Sequence, residues 1–250
     1  MAHDVLIHKL RSLIELTADD ERAVRSLSAQ RTQVSRHRDI LPRLREPDFV
    51  YVIVSGWAAR YGLRADGSRR ITGFMLRGDF CGIHAVAGAA MDHAIVAITD
   101  CEMAAIPIAE MEALVARVPL IGKALWRAKL IDEAILRQWL LSSGDALQAI
   151  ARMLCELHAR ARAAELYHDG ACEVPITQEQ LGDAVGLTGV HTNRTLQKLR
   201  SFGYIEFANG HLRILQPQEL TTLAQWNDRY LAPWQSKDAR RLEREAANAF

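Results

Sequence analysis

This sequence of 250 residues has few cysteines, no long apolar run and almost no net charge. The cysteines stand at positions 81, 101, 155 and 172, and none belongs to a C-x-x-C pair. Such scattered cysteines favour reduced thiols in the cytosol over a disulfide framework. No apolar run reaches about 18 residues, and the N-terminus lacks a signal-peptide pattern. We therefore expect a cytoplasmic protein that does not enter a membrane.

Sequence motifs of enzymes are also missing. The G-x-S-x-G, P-loop and G-x-G-x-x-G patterns do not occur. The alternative class, a cupin-like metal enzyme, needs an H-x-H pair followed by Glu and His, whereas the candidate ligands His84 and His93 stand nine residues apart. We therefore predict a protein that is not an enzyme and that binds no metal.

The formal net charge is only +1. Any nucleic-acid-binding surface must therefore come from local placement of lysine and arginine rather than from the overall charge. Apolar residues make up 49% of the sequence, and its length suits two compact domains joined by a connector.

Short β-rich runs and closely spaced glycines fill residues 32–107. Asp66-Gly67 lies between two such runs and is a strong signal for a hairpin turn. Many short strands at this spacing predict a β-sandwich or jelly roll.

A long helical pattern follows and is interrupted by Pro119. Apolar side chains recur every three or four residues after the proline, which predicts a helix with a broad apolar stripe. Such a helix either packs on its own domain or pairs with a second copy. We favour pairing, with an interface formed by Leu125, Ala128, Ile131, Ile135 and Trp139.

The segment from 176 to 214 carries the most specific signal. Thr177 and Gln180 form a capping box that begins a short helix. Gly186 permits a sharp turn, and Thr188 caps a second helix that Gly203 ends. Helix, glycine-containing turn and helix at this spacing predict a helix-turn-helix, a fold unit that binds duplex DNA.

A predicted wing follows the second helix. Asn209-Gly210 lies between two β-rich runs and predicts a tight hairpin. Four lysines or arginines and one acidic residue between 186 and 216 give this region a local charge of +3. That charge is the footprint expected of a nucleic-acid-binding surface.

The second helix has two unlike faces. Thr192, Thr195, Leu196 and Leu199 follow helical spacing and are predicted to face inward. The opposite face is predicted to read bases in the major groove and consists of Gly189, Val190, Asn193 and Arg194. The predicted phosphate contacts are Thr177, Gln178, Thr188, His191 and Lys198.

Each base-reading side chain suits a different base edge. Arg194 can donate two hydrogen bonds to guanine, and Asn193 can pair with an adenine edge or bond a phosphate. Val190 is an apolar residue on an exposed face, which suits contact with a thymine methyl group.

The chain resembles the Crp/Fnr family of bacterial transcription regulators over nearly its whole length. The resemblance rests on T-Q-E-Q-L-G-D-A-V-G-L-T and N-R-T-L-Q-K-L in the helix-turn-helix, and on R-G-D-F-C-G at 77–82. It implies an α+β fold with an N-terminal β-jelly roll of the cyclic-nucleotide-binding type, a long dimerisation helix and a C-terminal winged helix-turn-helix. The corresponding segments are a sensor domain (1–107), the dimerisation helix and hinge (108–143), the DNA-binding domain (144–216), and a C-terminal helix and tail (217–250).

The resemblance also implies partners. A homodimer would bind an inverted repeat of duplex DNA, and RNA polymerase is a further candidate partner. Arg194 matches the base-reading arginine of the family, whereas Val190 stands where many members have glutamate and Asn193 where serine or glycine is usual. We therefore expect a half-site that differs from the one common in the family.

The candidate effector pocket consists of Gly78, Asp79, Arg69, Arg70, His84 and His93. Members that bind cyclic nucleotides use Gly-Glu for the ribose and a later arginine for the phosphate. Gly78-Asp79 is one methylene shorter here, and the arginine is absent from G-A-A-M-D-H-A at 88–94. Because a phosphate would lack its charge partner, we expect a sensor that does not bind a cyclic nucleotide.

Other cofactors can be judged by the ligands that the sequence offers. An iron–sulfur cluster is rejected because no cysteine precedes Cys81. His84 or His93 could ligate haem. Cys81 and Cys101 either form a redox pair or serve as small buried apolar residues. We predict no cofactor; a cyclic-nucleotide- or haem-responsive regulator is the alternative, and a regulator without any ligand stays open.

Overall fold

Two four-stranded antiparallel sheets form most of the N-terminal half of the protein. The computed structural model describes residues 2–142 and 144–232. The strands are β1 (Gln30–Val34), β2 (Asp39–Leu41), β3 (Phe49–Ser55), β4 (Ala58–Leu63), β5 (Arg69–Met75), β6 (Phe80–Cys81), β7 (Ala94–Ala97) and β8 (Cys101–Pro107). One sheet has the order β1-β8-β3-β6 and the other β2-β7-β4-β5.

Side chains from both sheets meet in an apolar interior. Ile53 on β3, Ile95 on β7 and Met103 on β8 belong to one buried cluster. Successive side chains of a strand point to opposite faces of the sheet, so every second one faces inward. Burial of these branched and flexible side chains holds the two sheets together. Asp66-Gly67 joins β4 to β5 as predicted, and Gly67 has φ of +80°. The predicted β-roll is confirmed.

Helices flank the roll and build the C-terminal part. They are α1 (Ala2–Leu13), α2 (Ala18–Arg25), α3 (Ile108–Arg117), α4 (Pro119–Leu141), α5 (Ala146–Ala163), α6 (Gln178–Val185), α7 (Gly189–Ser201) and α8 (Pro217–Ala224). Pro119 is the first residue of α4, because proline fits the first helical position and not the interior. Asp145 accepts hydrogen bonds from the backbone N–H groups of Leu147 and Gln148 and so begins α5 at the predicted place.

Helix α4 packs on two apolar clusters of its own chain. Leu125 joins the cluster of α1, α3 and β3, while Ile135 and Trp139 join a cluster that runs from the roll to α5. Leu125, Ile135 and Trp139 are buried and Ala128 and Ile131 half-buried. Three of the five residues predicted to form a dimer interface therefore fill the core of their own chain, and the other two keep part of their surface open.

The apolar side chains that α4 exposes lie on its other face. Trp126 is 66% exposed and Leu141 76% exposed, and Leu136 is also exposed. The stripe read from the sequence is broad because it has one side against the core and one side toward solvent.

The C-terminal part combines helices with a small antiparallel sheet. Its strands are β9 (Tyr167–His168), β10 (Ala171–Glu173), β11 (Ile205–Ala208) and β12 (His211–Ile214), in the order β11-β12-β10-β9. The predicted C-terminal helix is α8, which ends at Ala224 because the next residue, Gln225, has φ of +45°. The predicted tail from residue 233 onward and Ser143 of the hinge lie outside the described residues. In residues 2–142 and 144–232, no helix is long and apolar enough to cross a membrane.

We call the cluster that runs from the roll to α5 the shared core. It includes Ile71 and Phe74 of the roll, Trp139 of α4, and Leu154 and Leu196 of the C-terminal part. The rings of Phe74 and Trp139 lie 5.8 Å apart between centroids. Because apolar burial is the main source of folding free energy, this cluster joins the roll firmly to the helices that follow it.

Candidate nucleic-acid interface and sensor region

Helix α6 begins at the capping box that the sequence predicts. The N–H of Gln180 donates to Thr177 Oγ1 (3.2 Å), and the N–H of Thr177 donates to Gln180 Oε1 (2.8 Å). Two backbone groups at the helix start are thereby satisfied. Thr177 and Gln178 are exposed beside this cap, so both can reach a phosphate placed there.

Two glycines set the turn between α6 and α7. Gly186 has φ of +79° and ends α6 in the left-handed conformation, which favours glycine. A Cβ on Gly182 would lie 2.6 Å from the backbone oxygen of Leu187, so a larger residue would push the turn away. The two helices can therefore approach closely at a fixed angle.

Helix α7 buries the face predicted to face inward. Thr192, Thr195, Leu196 and Leu199 are all buried. Thr192 Oγ1 donates to the Thr188 backbone oxygen (3.0 Å), so its hydroxyl is satisfied inside the domain. Thr188 caps the helix by accepting from the N–H of His191 (3.3 Å).

The opposite face of α7 is open to solvent from its first turn. Val190 is 83% exposed, and Gly189, His191, Asn193, Arg194 and Lys198 are exposed as well. An apolar side chain this exposed buries little apolar surface within its own fold and so adds little to its stability. The structure thus brings all predicted base-reading residues onto one surface at the start of one helix.

Arginines near this surface differ in what they bind. Arg200 donates to the backbone oxygen of Phe207 (2.5 Å), and Arg213 donates to that of Asp169 (2.9 Å). The guanidinium of Arg194 has no hydrogen bond or ion pair with any other described residue. Arg194 therefore keeps all its donors for an external acceptor.

The predicted wing is a hairpin of β11 and β12. Asn209 and Gly210 have φ of +52° and +74°, the pair of positive values that a type I′ turn needs. Ala208 pairs with His211 across this turn. The wing thus follows α7 directly and lies in the same domain.

The six residues predicted to form one effector pocket lie in three separate places. Asp79 is half-buried, with 14% of its side chain exposed, and its carboxylate accepts from Lys9 Nζ (2.8 Å), Arg160 Nη2 (2.9 Å) and the Leu76 N–H (3.0 Å). Burial raises the pKa of Asp79, but Lys9 and Arg160 outweigh it and hold the pKa at about 2. Its neighbour Gly78 has φ of +90° in the same turn. The partners of Asp79 therefore come from α1 and α5 as well as from its own turn.

Arg69 and Arg70 contact the helix-turn-helix rather than a ligand or solvent. Arg69 Nη2 lies 2.9 Å from Asp183 Oδ2 on α6. Arg70 lies over the turn after α6, so that a Cβ on Gly186 would come within 2.4 Å of its Nη1. Both arginines were predicted to line the effector pocket, whereas the hairpin of β4 and β5 carries them to α6 and the turn that follows it.

His84 and His93 are brought together although they are distant in sequence. Their rings lie 5.1 Å apart between centroids, with His84 on the short 3₁₀ helix (Ile83–Ala87) that follows β6. His93 Nδ1 lies 2.5 Å from Asp92 Oδ1, and Lys129 Nζ lies 3.0 Å from His84 Nε2. Burial and then Lys129 lower the pKa of His84 to about 4, and burial and then Arg60 lower the pKa of His93.

Sequence reasoning missed the charged residues around this histidine pair. Arg60 on β4 forms an ion pair with Asp132 on α4 (2.7 Å), and Lys129 lies 4.0 Å from the same carboxylate. The only available signal was that Lys129 and Asp132 interrupt the apolar stripe of α4 one turn apart. Their partners could not be read from local sequence.

A cleft of about 290 Å³ lies between the roll, α1, α4 and α5. Its lining includes Lys9, Asp79, Lys129, Asp132 and Arg160. The first two cations lie on α1 and α4 and Arg160 lies on α5, so the cleft collects charge from three helices. The sequence of the Gly-Asp turn alone does not predict this charged cleft.

Within the described part of the chain no disulfide forms. Cys81, Cys101, Cys155 and Cys172 are all free and buried. Burial raises the pKa of the Cys101 thiol to about 11 and that of Cys155 to about 12, which suppresses the reactive thiolate. The structure therefore favours the buried apolar role over a redox pair for Cys81 and Cys101.

Two family profiles match separate parts of the chain. Residues 33–118 match the cyclic nucleotide-binding domain family, and residues 148–223 match the Crp-like helix-turn-helix domain family. The matches cover the roll and the winged helix-turn-helix, in the order that the resemblance implied.

The chain is also similar to named regulators. It is 30% identical over 180 residues to the nitrogen fixation regulation protein FixK of Bradyrhizobium diazoefficiens, covering 70% of this chain and 73% of that protein. It is 29% identical over 163 residues to the transcriptional activator protein FnrL of Cereibacter sphaeroides, covering 63% of this chain and 65% of FnrL, less than two thirds of it. Among solved structures, FixK2 from Bradyrhizobium japonicum matches with a TM-score of 0.71 at 24% identity, covering 79% of this chain and 98% of that one.

Proposed function

Because this chain belongs to the Crp/Fnr family of transcription regulators, we propose that it binds a specific inverted-repeat operator as a homodimer. The observation that carries the proposal is the exposed start of α7, where Arg194 has no partner among the described residues. The start of such a helix is the part that enters the major groove. The open backbone N–H groups of its first turn favour phosphate at the same place.

Each exposed residue takes one role on DNA. Arg194 donates to guanine, Asn193 pairs with adenine, and Val190 packs on a thymine methyl group. Phosphate contacts come from Thr177 and Gln178 at the α6 cap, and from Thr188, His191 and Lys198 beside α7. The support for this division is that the first set lies on the outward face of α7 and the second flanks it.

The dimer forms through the solvent-facing side of α4. Trp126, Leu136 and Leu141 lie there, and large exposed apolar side chains of this kind mark interaction surfaces. Two-fold symmetry then places one α7 in each of two half-sites, about one helical turn apart. Activation by contact with RNA polymerase is a further partner interaction that this arrangement permits.

The sensor roll does not bind a cyclic nucleotide. The support is that Asp79, the acid of the Gly-Asp turn, already forms ion pairs with Lys9 and Arg160. A ribose would have to displace two charge-assisted bonds. The sequence from 88 to 94 also offers no arginine for the phosphate.

Substitution of Arg194 tests the DNA-binding proposal. A preferred operator is first selected from random duplexes with the full chain. Arg194→Ala should then weaken binding to it by about 1–3 kcal/mol and relax the preference at one base pair in each half-site. Arg43→Ala, an exposed arginine of the roll, is the matched control and should leave affinity unchanged. Unaltered sequence preference in Arg194→Ala would overturn the placement of α7 in the groove.

A further inference from the structure

The segment that follows α8 packs on the two longest helices of the protein. Gln225 ends α8 in the left-handed conformation, and the chain then continues to Ala232 in turns and irregular structure. We call residues 225–232 the strap. The match to the Crp-like helix-turn-helix domain family ends at residue 223. The role of the strap therefore has to be read from its own contacts.

Glu156 on α5 links the strap to α4. Its side chain is fully buried, and its Oε2 accepts from Trp139 Nε1 on α4 (2.8 Å) and from the Tyr230 hydroxyl in the strap (3.4 Å). Trp226 Nε1 donates to the Tyr230 hydroxyl oxygen (2.9 Å), so both aromatic residues of the strap belong to this network. Because a buried carboxylate is costly unless its oxygens are bonded, Glu156 needs its partners on both sides.

Arg152, one helical turn before Glu156, makes a second link of the same kind. Its guanidinium donates through Nη1 to Gln138 Oε1 on α4. It also donates through Nη2 to the backbone oxygen of Gln225 in the strap (2.6 Å). Residues four apart lie on one face of a helix. One face of α5 is therefore bonded to α4 and to the strap at once.

The strap also reaches the side of α5 that faces the roll. Trp226, Tyr230 and Leu231 pack on the shared core. Leu231 and Ala232 line the cleft between the roll, α1, α4 and α5. The strap therefore runs from the end of the helix-turn-helix domain to the junction of that domain with the roll.

These contacts act on the connection between α4 and α5. Residues 142–145 join Leu141, the last residue of α4, to Ala146, the first of α5. A few residues between two helices can absorb a large change in backbone angles and so serve as a hinge. Rotation of α5 against α4 would break the bonds of Glu156 and Arg152 to α4. The strap opposes this rotation because it bonds the same two side chains and packs on the shared core.

We propose that the strap fixes the helix-turn-helix domain on α4 through Glu156 and Arg152, and that it thereby sets the distance between the two α7 helices of the dimer. The fixing of α5 on α4 depends only on contacts within one chain. The effect on the distance between α7 helices rests on the proposed function, in which a dimer binds two half-sites.

Hydrogen–deuterium exchange of the full chain tests the fixing of α5. In Trp226→Ala/Tyr230→Ala, the backbone amides of residues 136–141 and 149–156 should exchange about 2- to 30-fold faster than in the parent chain, because local opening becomes easier. Tyr230→Phe keeps the ring but lacks the hydroxyl and should accelerate the same amides by a smaller factor. Tyr167→Ala, an exposed aromatic residue of the same domain, is the matched control and should exchange as the parent chain does.

Two outcomes would overturn this role of the strap. One is unchanged exchange at these amides in the folded double variant. The other is an equal acceleration at these amides and in β3 and β8 of the roll, which would show a general loss of stability instead of a local one. Far-ultraviolet circular dichroism checks that each variant is folded. If the double variant does not fold, Tyr230→Phe is judged by the same two criteria.

The distance between the α7 helices has a separate readout. The parent chain should bind its selected operator more tightly than duplexes with one or two base pairs added between the half-sites. This preference should be about 2- to 30-fold smaller in Trp226→Ala/Tyr230→Ala, because a loosened α5 lets each α7 reach half-sites at other separations. The same preference in both chains would overturn the link to half-site separation.

Arg194→Ala distinguishes this inference from the proposed function. It should lose affinity for every duplex, while its amides in α4 and α5 exchange as in the parent chain. Faster exchange in the strap variants of a chain that binds no specific operator would leave the fixing of α5 intact and overturn only the effect on DNA.

Discussion

Arg194 at the start of α7 and Asp79 in the Gly78-Asp79 turn are both charged, but their surroundings are opposite. On α7, Arg194 is exposed and its guanidinium has no bond to the rest of the described chain. In the turn, the carboxylate of Asp79 lies between Lys9 and Arg160 and forms an ion pair with each. A side chain that binds its own fold adds stability, whereas one left open is available to a ligand. The difference separates a surface suited to recognition from a junction that holds domains together.

Loss of the Asp79 carboxylate should give the largest effect. Asp79→Asn leaves Lys9 and Arg160 without their common partner and should lower the free energy of unfolding by about 3 kcal/mol, the lower end of the range for buried pairs, because Asp79 and Lys9 are partly exposed. Urea denaturation at pH 7 measures the loss. Asp48→Asn, an exposed carboxylate of the same roll, is the control and should change stability by less than about 0.5 kcal/mol.

The same substitution has a pH signature. Because the pKa of Asp79 is lowered from 3.8 to about 2 in the folded protein, its stabilising contribution is present above pH of about 4 and is lost as the pH falls toward about 2. Asp79→Asn should therefore be closest to the parent chain at the acidic end. A constant difference from pH 7 to pH 2 would contradict the assigned pairing.

Disruption of the exposed face of α4 should come next in size. Trp126→Glu places a charge on the proposed dimer surface and should weaken dimerisation at least about 30-fold, the loss typical of a central interface residue. Sedimentation equilibrium measures the change. Leu63→Glu, a similarly exposed apolar residue of the roll, should leave the dimer intact. A dimer unaffected by Trp126→Glu would place the interface elsewhere.

The ion pair between the β4–β5 hairpin and α6 should give the smallest effect. Arg69 and Asp183 are each partly exposed, so a double-mutant cycle with alanine should return a coupling of only about 0.2–1 kcal/mol in the free energy of unfolding. The matched cycle between Arg69 and Glu179, another acidic residue of α6, should return no coupling. Equal values for the two pairs would show that the ion pair does not hold the hairpin on the helix-turn-helix.

Local signals in the sequence predicted the helix-turn-helix and its wing well. The capping box of Thr177, the left-handed turn at Gly186 and the Asn209-Gly210 hairpin depend on residues within a few positions of each other. Such signals are strong because steric and hydrogen-bonding rules act locally on the backbone. The exposed face of α7 then follows from helical periodicity.

Long-range partners could not be predicted in this way. Asp79 pairs with Lys9 and Arg160, which are 70 and 81 residues away along the chain. The side of α4 that faces the core is likewise set by what packs on it, since both sides are apolar. Tertiary contacts therefore decide what holds Asp79 and which side of α4 is buried, where sequence patterns were ambiguous.

The shared core has a consequence for cooperativity. Phe74 of the roll, Trp139 of α4 and Leu154 of α5 lie in one continuous apolar cluster. Unfolding either domain would expose surface of the other, so the two should melt in a single transition. A ligand bound only to the roll would then raise the melting temperature of the helix-turn-helix as well, because its binding free energy is added to the stability of the whole unit.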